Sequence, residues 1–148
     1  MVGGFELGTD GPTVVLTGVD GSRTSLRAGA YAAGLARRQR ARLVVVHVSA
    51  GVPFAGLAPG GAAAAAEAGR DLAEDLRRQV REGAEHTGVT AEFVLAQGDP
   101  FAELIRVAKQ VRAEVIVVGA SESAGHRLVG SLAVRLVRAG RWPVTVVP

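Results

Sequence analysis

Apolar residues fall along the chain in short blocks that alternate between two periods. Thr13-Val14-Val15-Leu16-Thr17-Gly18-Val19 is a β-branched run after Gly11-Pro12 and predicts a first strand. Asp20-Gly21-Ser22 interrupts it. Beyond the break, Leu26, Ala30, Ala33 and the pair Leu35-Ala36 recur at helical spacing, with Arg23, Arg27, Arg37 and Arg38 on the polar side. Ser22 or Thr24 supplies the cap for this helix. Leu43 to Val48 predicts a second strand, apolar on both faces as strands of a buried parallel sheet are. Residues 49–61 are rich in Gly, Pro and Ala and predict a mobile loop. A long helix follows from Ala62 to about Glu85, with Leu72, Leu76 and Val80 as its inward stripe. Thr90 to Leu95 predicts a third strand. In Gly98-Asp99-Pro100 the aspartate caps the next helix and proline takes its first position. That helix turns Leu104, Ile105, Ala108 and Val111 inward. Glu114 to Val118 predicts a fourth strand, Gly119 to Val129 a polar loop, Gly130 or Ser131 the start of a last helix to about Ala139, and Pro143 to Val147 a fifth strand.

Strict alternation of strand and helix predicts an α/β fold: one doubly wound parallel sheet with helices on both faces. Residues 1–12 read as a tail and 13–148 as one domain, with no internal repeat. Composition narrows the picture. The 148 residues, 48% hydrophobic and 21% charged, suffice for a single packed core. No apolar run approaches the ~18 residues of a membrane span. The N-terminal residues lack the basic start, apolar stretch and cleavage site of a signal peptide. There is no cysteine, so there is no disulfide framework and no thiolate chemistry. These features predict a cytoplasmic protein. The net charge of +3 is a weak field, and 4% aromatic residues are too few for a base-stacking platform, which argues against nucleic acid as a partner.

In an open parallel sheet, ligands bind beyond the carboxyl ends of the strands, near the point where strand order reverses. Three segments meet that description: Asp20-Gly21-Ser22, His47-Val48, and the stretch from Gly119 to Ser131. Gly125 and Gly130-Ser131 have the spacing of a phosphate-binding loop without its lysine. Glycine lets a backbone approach an anion, and Gly130-Ser131 places free amides and a hydroxyl at a helix start. His126 and Arg127 add positive charge nearby. Asp20 has two readings, a ribose contact or a cap for the first helix. His47, at the end of a buried strand, reads as a core histidine donating to backbone rather than as a catalyst. His47, His86 and His126 lack metal-ligand spacing, which excludes a metal site. Asp20, Ser22 and His47 hold the groups of a hydrolase triad, but the chain has no Gly-x-Ser-x-Gly elbow.

Val19-Asp20-Gly21-Ser22, Ala41-Arg42-Leu43 leading to His47-Val48, Gly98-Asp99-Pro100, Val117-Val118-Gly119, Gly130-Ser131 and the close Trp142-Pro143-Val144 occur in this order. Together they resemble the universal stress protein family, over residues 13–148. The resemblance implies a sheet of order 3-2-1-4-5, a homodimer, and an adenine nucleotide, ATP or AMP, as ligand. It implies a nucleoside contact for Asp20, an adenine contact through the backbone of Val48, and phosphate contacts at Gly119, Gly130 and Ser131. The family's second motif glycine falls at position 122, where this chain has Glu122. Only seven residues separate 122 from Gly130, where the family has nine. Gly125 partly replaces the missing glycine. A carboxylate beside a triphosphate repels it by on the order of 1 kcal/mol. ATP is therefore expected to bind weakly or not at all, with less penalty for AMP. The predicted function is that of a stress-response regulator without turnover of its own, paired through the uncharged edge strand Val144 to Val147. A non-nucleotide-binding interaction protein of the same fold is the alternative, ahead of a small hydrolase.

Overall fold

In the computed structural model, which describes residues 11–49, 60–121 and 130–148, strands and helices alternate throughout. They are β1 (Val14–Gly18), α1 (Arg23–Gln39), β2 (Arg42–Ser49), α2 (Gly61–Thr87), β3 (Ala91–Gln97), α3 (Pro100–Val111), β4 (Val115–Gly119), α4 (Ser131–Ala139) and β5 (Val144–Val147). The expected mobile loop lies outside the described residues over 50–59, and its ends, Ser49 and Gly61, belong to β2 and α2.

The five strands form one sheet of order β3-β2-β1-β4-β5. Every pairing is parallel, with Leu16 opposite Val44 on one side and Ile116 on the other. The first strand is therefore central, and strand order reverses between β1 and β4. Right-handed crossovers place α1 and α2 on one face and α3 and α4 on the other. Each face has its own core. Val15, Val45 and Val117 meet α1 and α2. Leu16, Val46 and Ile116 meet Leu104 and Val107 of α3 and Leu136 of α4.

The helices bury Ala36, Leu76, Leu104 and Ala108 as the spacing predicts, but the rest of each buried stripe differs. In α1 the buried residues are Ser25, Ala28, Ala32 and Ala36, while Leu26 is 39% exposed. Alanine lets the helix axis lie close to the strands, and this brings the small face inward. Leu26, Ala30 and Ala33 instead border the groove towards α2. In α2 the buried pair is Ala73 and Leu76. Leu72 is exposed and Val80 only half-buried. In α3, Val107 joins Leu104 and Ala108 inside, and Ile105 and Val111 lie at the margin.

This packing makes a contrast that chemical unfolding can read. Ala32 is fully buried, so Ala32→Leu should overfill the α1 interface and cost roughly 1–3 kcal/mol. Leu26→Ala should cost less than about 1 kcal/mol, because a side chain already partly in water leaves little cavity. Urea midpoints showing Leu26→Ala to be the more damaging change would contradict the assignment of the buried face.

Candidate functional site

A cavity of about 550 Å³ opens at the carboxyl ends of the strands, where β1 and β4 part. Its size lies within the usual range for small-ligand sites. Gly18, Val19 and Asp20 form one side, and Val118, Gly119, Ala120 and Ser121 another. Val48, Pro100 and Leu104 complete the walls with Gly130, Ser131 and Leu132. The cavity thus brings together Asp20, Val48, Gly119, Gly130 and Ser131. Gly125 lies outside the described residues, as do Glu122, His126 and Arg127.

The Asp20 side is a small hydrogen-bonded knot. Ser22 N donates to Asp20 Oδ1 at 2.8 Å. Asp20 N donates to Ser25 Oγ at 3.1 Å, and Ser25 Oγ donates to Ser22 O at 3.0 Å. The N-cap of α1 is Ser22, whose hydroxyl accepts from Ser25 N at 3.3 Å. The capping role considered for Asp20 therefore belongs to Ser22, and Asp20 shapes the turn before it. Burial beneath this turn pushes the Asp20 carboxyl up. Hydrogen bonding in the turn, that from Ser22 foremost, outweighs it and holds the group below the usual aspartate range. Asp20 is thus an anion at neutral pH, exposed at the cavity and able to accept further hydrogen bonds.

The opposite wall has the reverse polarity. The N-cap of α4 is Gly130, in extended backbone, with no side chain capping the helix. The first amides of α4 thus keep the partial positive charge of a helix start. Between the two walls, Gly119 is fixed by packing. A Cβ there would stand 2.5 Å from Thr24 C and 2.7 Å from Ser25 N. Thr24 Oγ1 donates to Ala120 O at 2.6 Å across the same contact. Gly119 is accordingly required by the approach of α1 to β4, independently of any ligand.

His47 behaves as the sequence predicts: it is buried, and its Nδ1 donates to Val19 O at 2.8 Å. With Ser22 engaged as a cap, both hydroxyl and imidazole of the conceivable triad have structural partners. Among the described residues, no buried side-chain polar atom lacks a hydrogen-bond partner, and no cluster of three or more His, Asp or Glu side chains suits a metal ion. No helix among them is long and apolar enough to cross a membrane. The sequence reading missed Thr24, Ser25 and Ser121 as cavity residues. Their signal was position: two hydroxyls on the first turn after Asp20, and one two residues after Gly119. A second cavity, about 200 Å³, lies between α1 and α2, and no charged residue lines it among the described residues.

A parallel sheet of order 3-2-1-4-5 with a cavity at the point where strand order reverses is a doubly wound α/β architecture, in which that position is where ligands bind. The model of the universal stress protein family matches residues 13–148, and the chain belongs to that family. It is 30% identical over 131 residues to a universal stress protein of Methanocaldococcus jannaschii, covering 86% of this chain and 77% of the relative. It is 27% identical over 146 residues to the universal stress protein YxiE of Bacillus subtilis, covering 90% and 97%. Among solved structures it is similar to the universal stress protein UspA from Lactobacillus plantarum, with a TM-score of 0.78 and 25% identity over 92% of this chain and 97% of that one. A universal stress protein solved in complex with cAMP matches with a TM-score of 0.68 and 25% identity, covering 93% and 97%.

The two motif glycines should respond differently to a methyl group. Gly119→Ala has to part α1 from β4 backbone and should lower stability by roughly 1–3 kcal/mol. At Gly130 the nearest atom a Cβ meets among the described residues is the side-chain Cβ of Ser121 at 3.1 Å, and φ is −63°. Gly130→Ala should therefore shift the urea midpoint less. Equal midpoints for the two variants would show that the α1–β4 contact does not demand glycine.

Proposed function

We propose that this protein binds an adenine nucleotide of low phosphate charge in the cavity between β1 and β4, and acts in the cytoplasm as a stress-response regulator without turnover of its own. The supporting observation is the polarity of that one cavity: the Asp20 carboxylate on one wall and the uncapped start of α4 on another. A ribose offers hydroxyl donors to the first, and a phosphate offers an anion to the second. In this reading Val48 meets the base through its backbone, Gly119 forms the floor, and Gly130 with Ser131 and Gly125 receives the phosphate. The cAMP complex of a structural relative supports the same ligand class. Glu122 in the family's glycine position favours AMP or a cyclic monophosphate over ATP.

Titration calorimetry with adenosine, AMP and ATP tests the reading. AMP should bind, and Asp20→Asn should weaken it roughly tenfold or more, the scale of a charge-assisted hydrogen bond. If no adenine nucleotide binds, the chain is better read as an interaction protein of the same fold.

We also propose a homodimer through β5. This strand is a sheet edge, and Pro143 O and Val147 O accept from Ile116 N and Ala120 N of the β4 side. Strand alternation then turns the peptide groups of Val144 and Val146 away from β4, free to pair with a second copy. Val146→Lys places charge on that edge and should convert dimer to monomer in light scattering. A monomer for the unaltered chain at micromolar concentration would remove the proposal.

A further inference from the structure

One half-exposed arginine of α4 stacks on a ring at the start of α3, and its guanidinium donates no hydrogen bond among the described residues. Arg135 lies one turn beyond Ser131 on α4, and long helical side chains lean back over the preceding turn. Its guanidinium carbon stands 4.2 Å over the centroid of the Phe101 ring, in the first turn of α3. Arg135 Nη1 is 3.6 Å from Asp99 Oδ1, an ion-pair separation too long for a hydrogen bond. Asp99 is committed elsewhere, since its Oδ2 accepts from Ala102 N at 2.9 Å as the N-cap of α3. By contrast, Arg106 donates to Glu103 and Gln110, and Arg42 donates to Glu92 and Val111 O. Pro100, between Asp99 and Phe101, lines the cavity, as do Ser131 and Leu132. The guanidinium therefore sits between the first turns of α3 and α4, both of which border the cavity.

We propose that Arg135 reads phosphate chain length: it donates its fork to a second or third phosphate group of an anion whose first phosphate lies at the start of α4. A guanidinium matches phosphate oxygens with two parallel N–H bonds, and one already stacked on a ring loses little freedom on binding. Asp99 sets the opposing bias. Its carboxylate competes for the guanidinium and repels the incoming phosphate, so the pair discriminates by charge between a monophosphate and a longer chain. The proposal rests on the reading of the cavity as a phosphate site, and it needs no adenine.

Calorimetry on the full chain with adenosine, AMP, ADP, ATP and inorganic triphosphate tests it, comparing the unaltered protein with Arg135→Gln and Asp99→Ser. Serine retains the helix cap while removing the charge. Arg135→Gln should weaken ATP and triphosphate roughly three- to tenfold, the range of one exposed charge contact, and leave adenosine and AMP within about twofold. Asp99→Ser should tighten ATP and triphosphate. Unchanged ATP and triphosphate affinities in Arg135→Gln would overturn the proposal. An equal loss for AMP and ATP would do the same, because it would mean a structural role. Triphosphate that binds and responds to Arg135 while adenosine and AMP do not bind would sustain the proposal and remove the nucleoside reading. Failure of every probe to bind would overturn both.

Discussion

The start of α1 lies so close against the end of β4 that position 119 has no room for a side chain. The remaining geometry of the site depends on this contact. β1 and β4 are neighbours, but their chains leave the sheet in opposite crossovers, one to α1 and the other to α4. With Gly119 against Thr24 and Ser25, and Thr24 bonded to Ala120 O, the two exits are joined on one side of the gap. The cavity opens beside that joint. Fully buried Leu16, Thr17, Ile116 and Val117 below it make the strand ends rigid supports.

On this support the chain mounts two opposite polarities a short way apart. The Ser22–Ser25 turn spends its own donors on Asp20, which keeps the carboxylate charged. The start of α4 has no capping side chain to neutralise it. His47 adds nothing to this chemistry, because it is bound to Val19 O and holds the ends of β1 and β2 together. The described walls thus present a carboxylate and a helix start to the same cavity.

Much of this was legible in the sequence because punctuation and periodicity are local. Asp99-Pro100 announces the start of α3, Gly130-Ser131 that of α4, and the β-branched runs give all five strands to within about two residues. The inward faces of the helices were less legible. Periodicity favours the largest apolar residues, whereas α1 turns Ala28, Ala32 and Ala36 to the sheet because closeness, not size, sets that interface. The hydroxyls of Thr24, Ser25 and Ser121 escaped for a similar reason: they reach the cavity only once α1 has docked on β4, a contact between residues about 96 apart in sequence. The pairing of Arg135 with Asp99 and Phe101 is equally a product of tertiary packing, joining α4 to the start of α3.

The central claim is that the ligand occupies the cavity where β1 and β4 part. Amide chemical-shift mapping with AMP addresses it directly, because the β1–β4 cavity and the α1–α2 groove have different linings. The account predicts shifts concentrated in Gly18 to Ser25, Gly119 to Ser121 and Gly130 to Ala133, with Ala33, Gly83 and Ala84 of the α1–α2 groove unmoved. Shifts centred on that groove, with the β1–β4 cavity silent at saturating AMP, would contradict it.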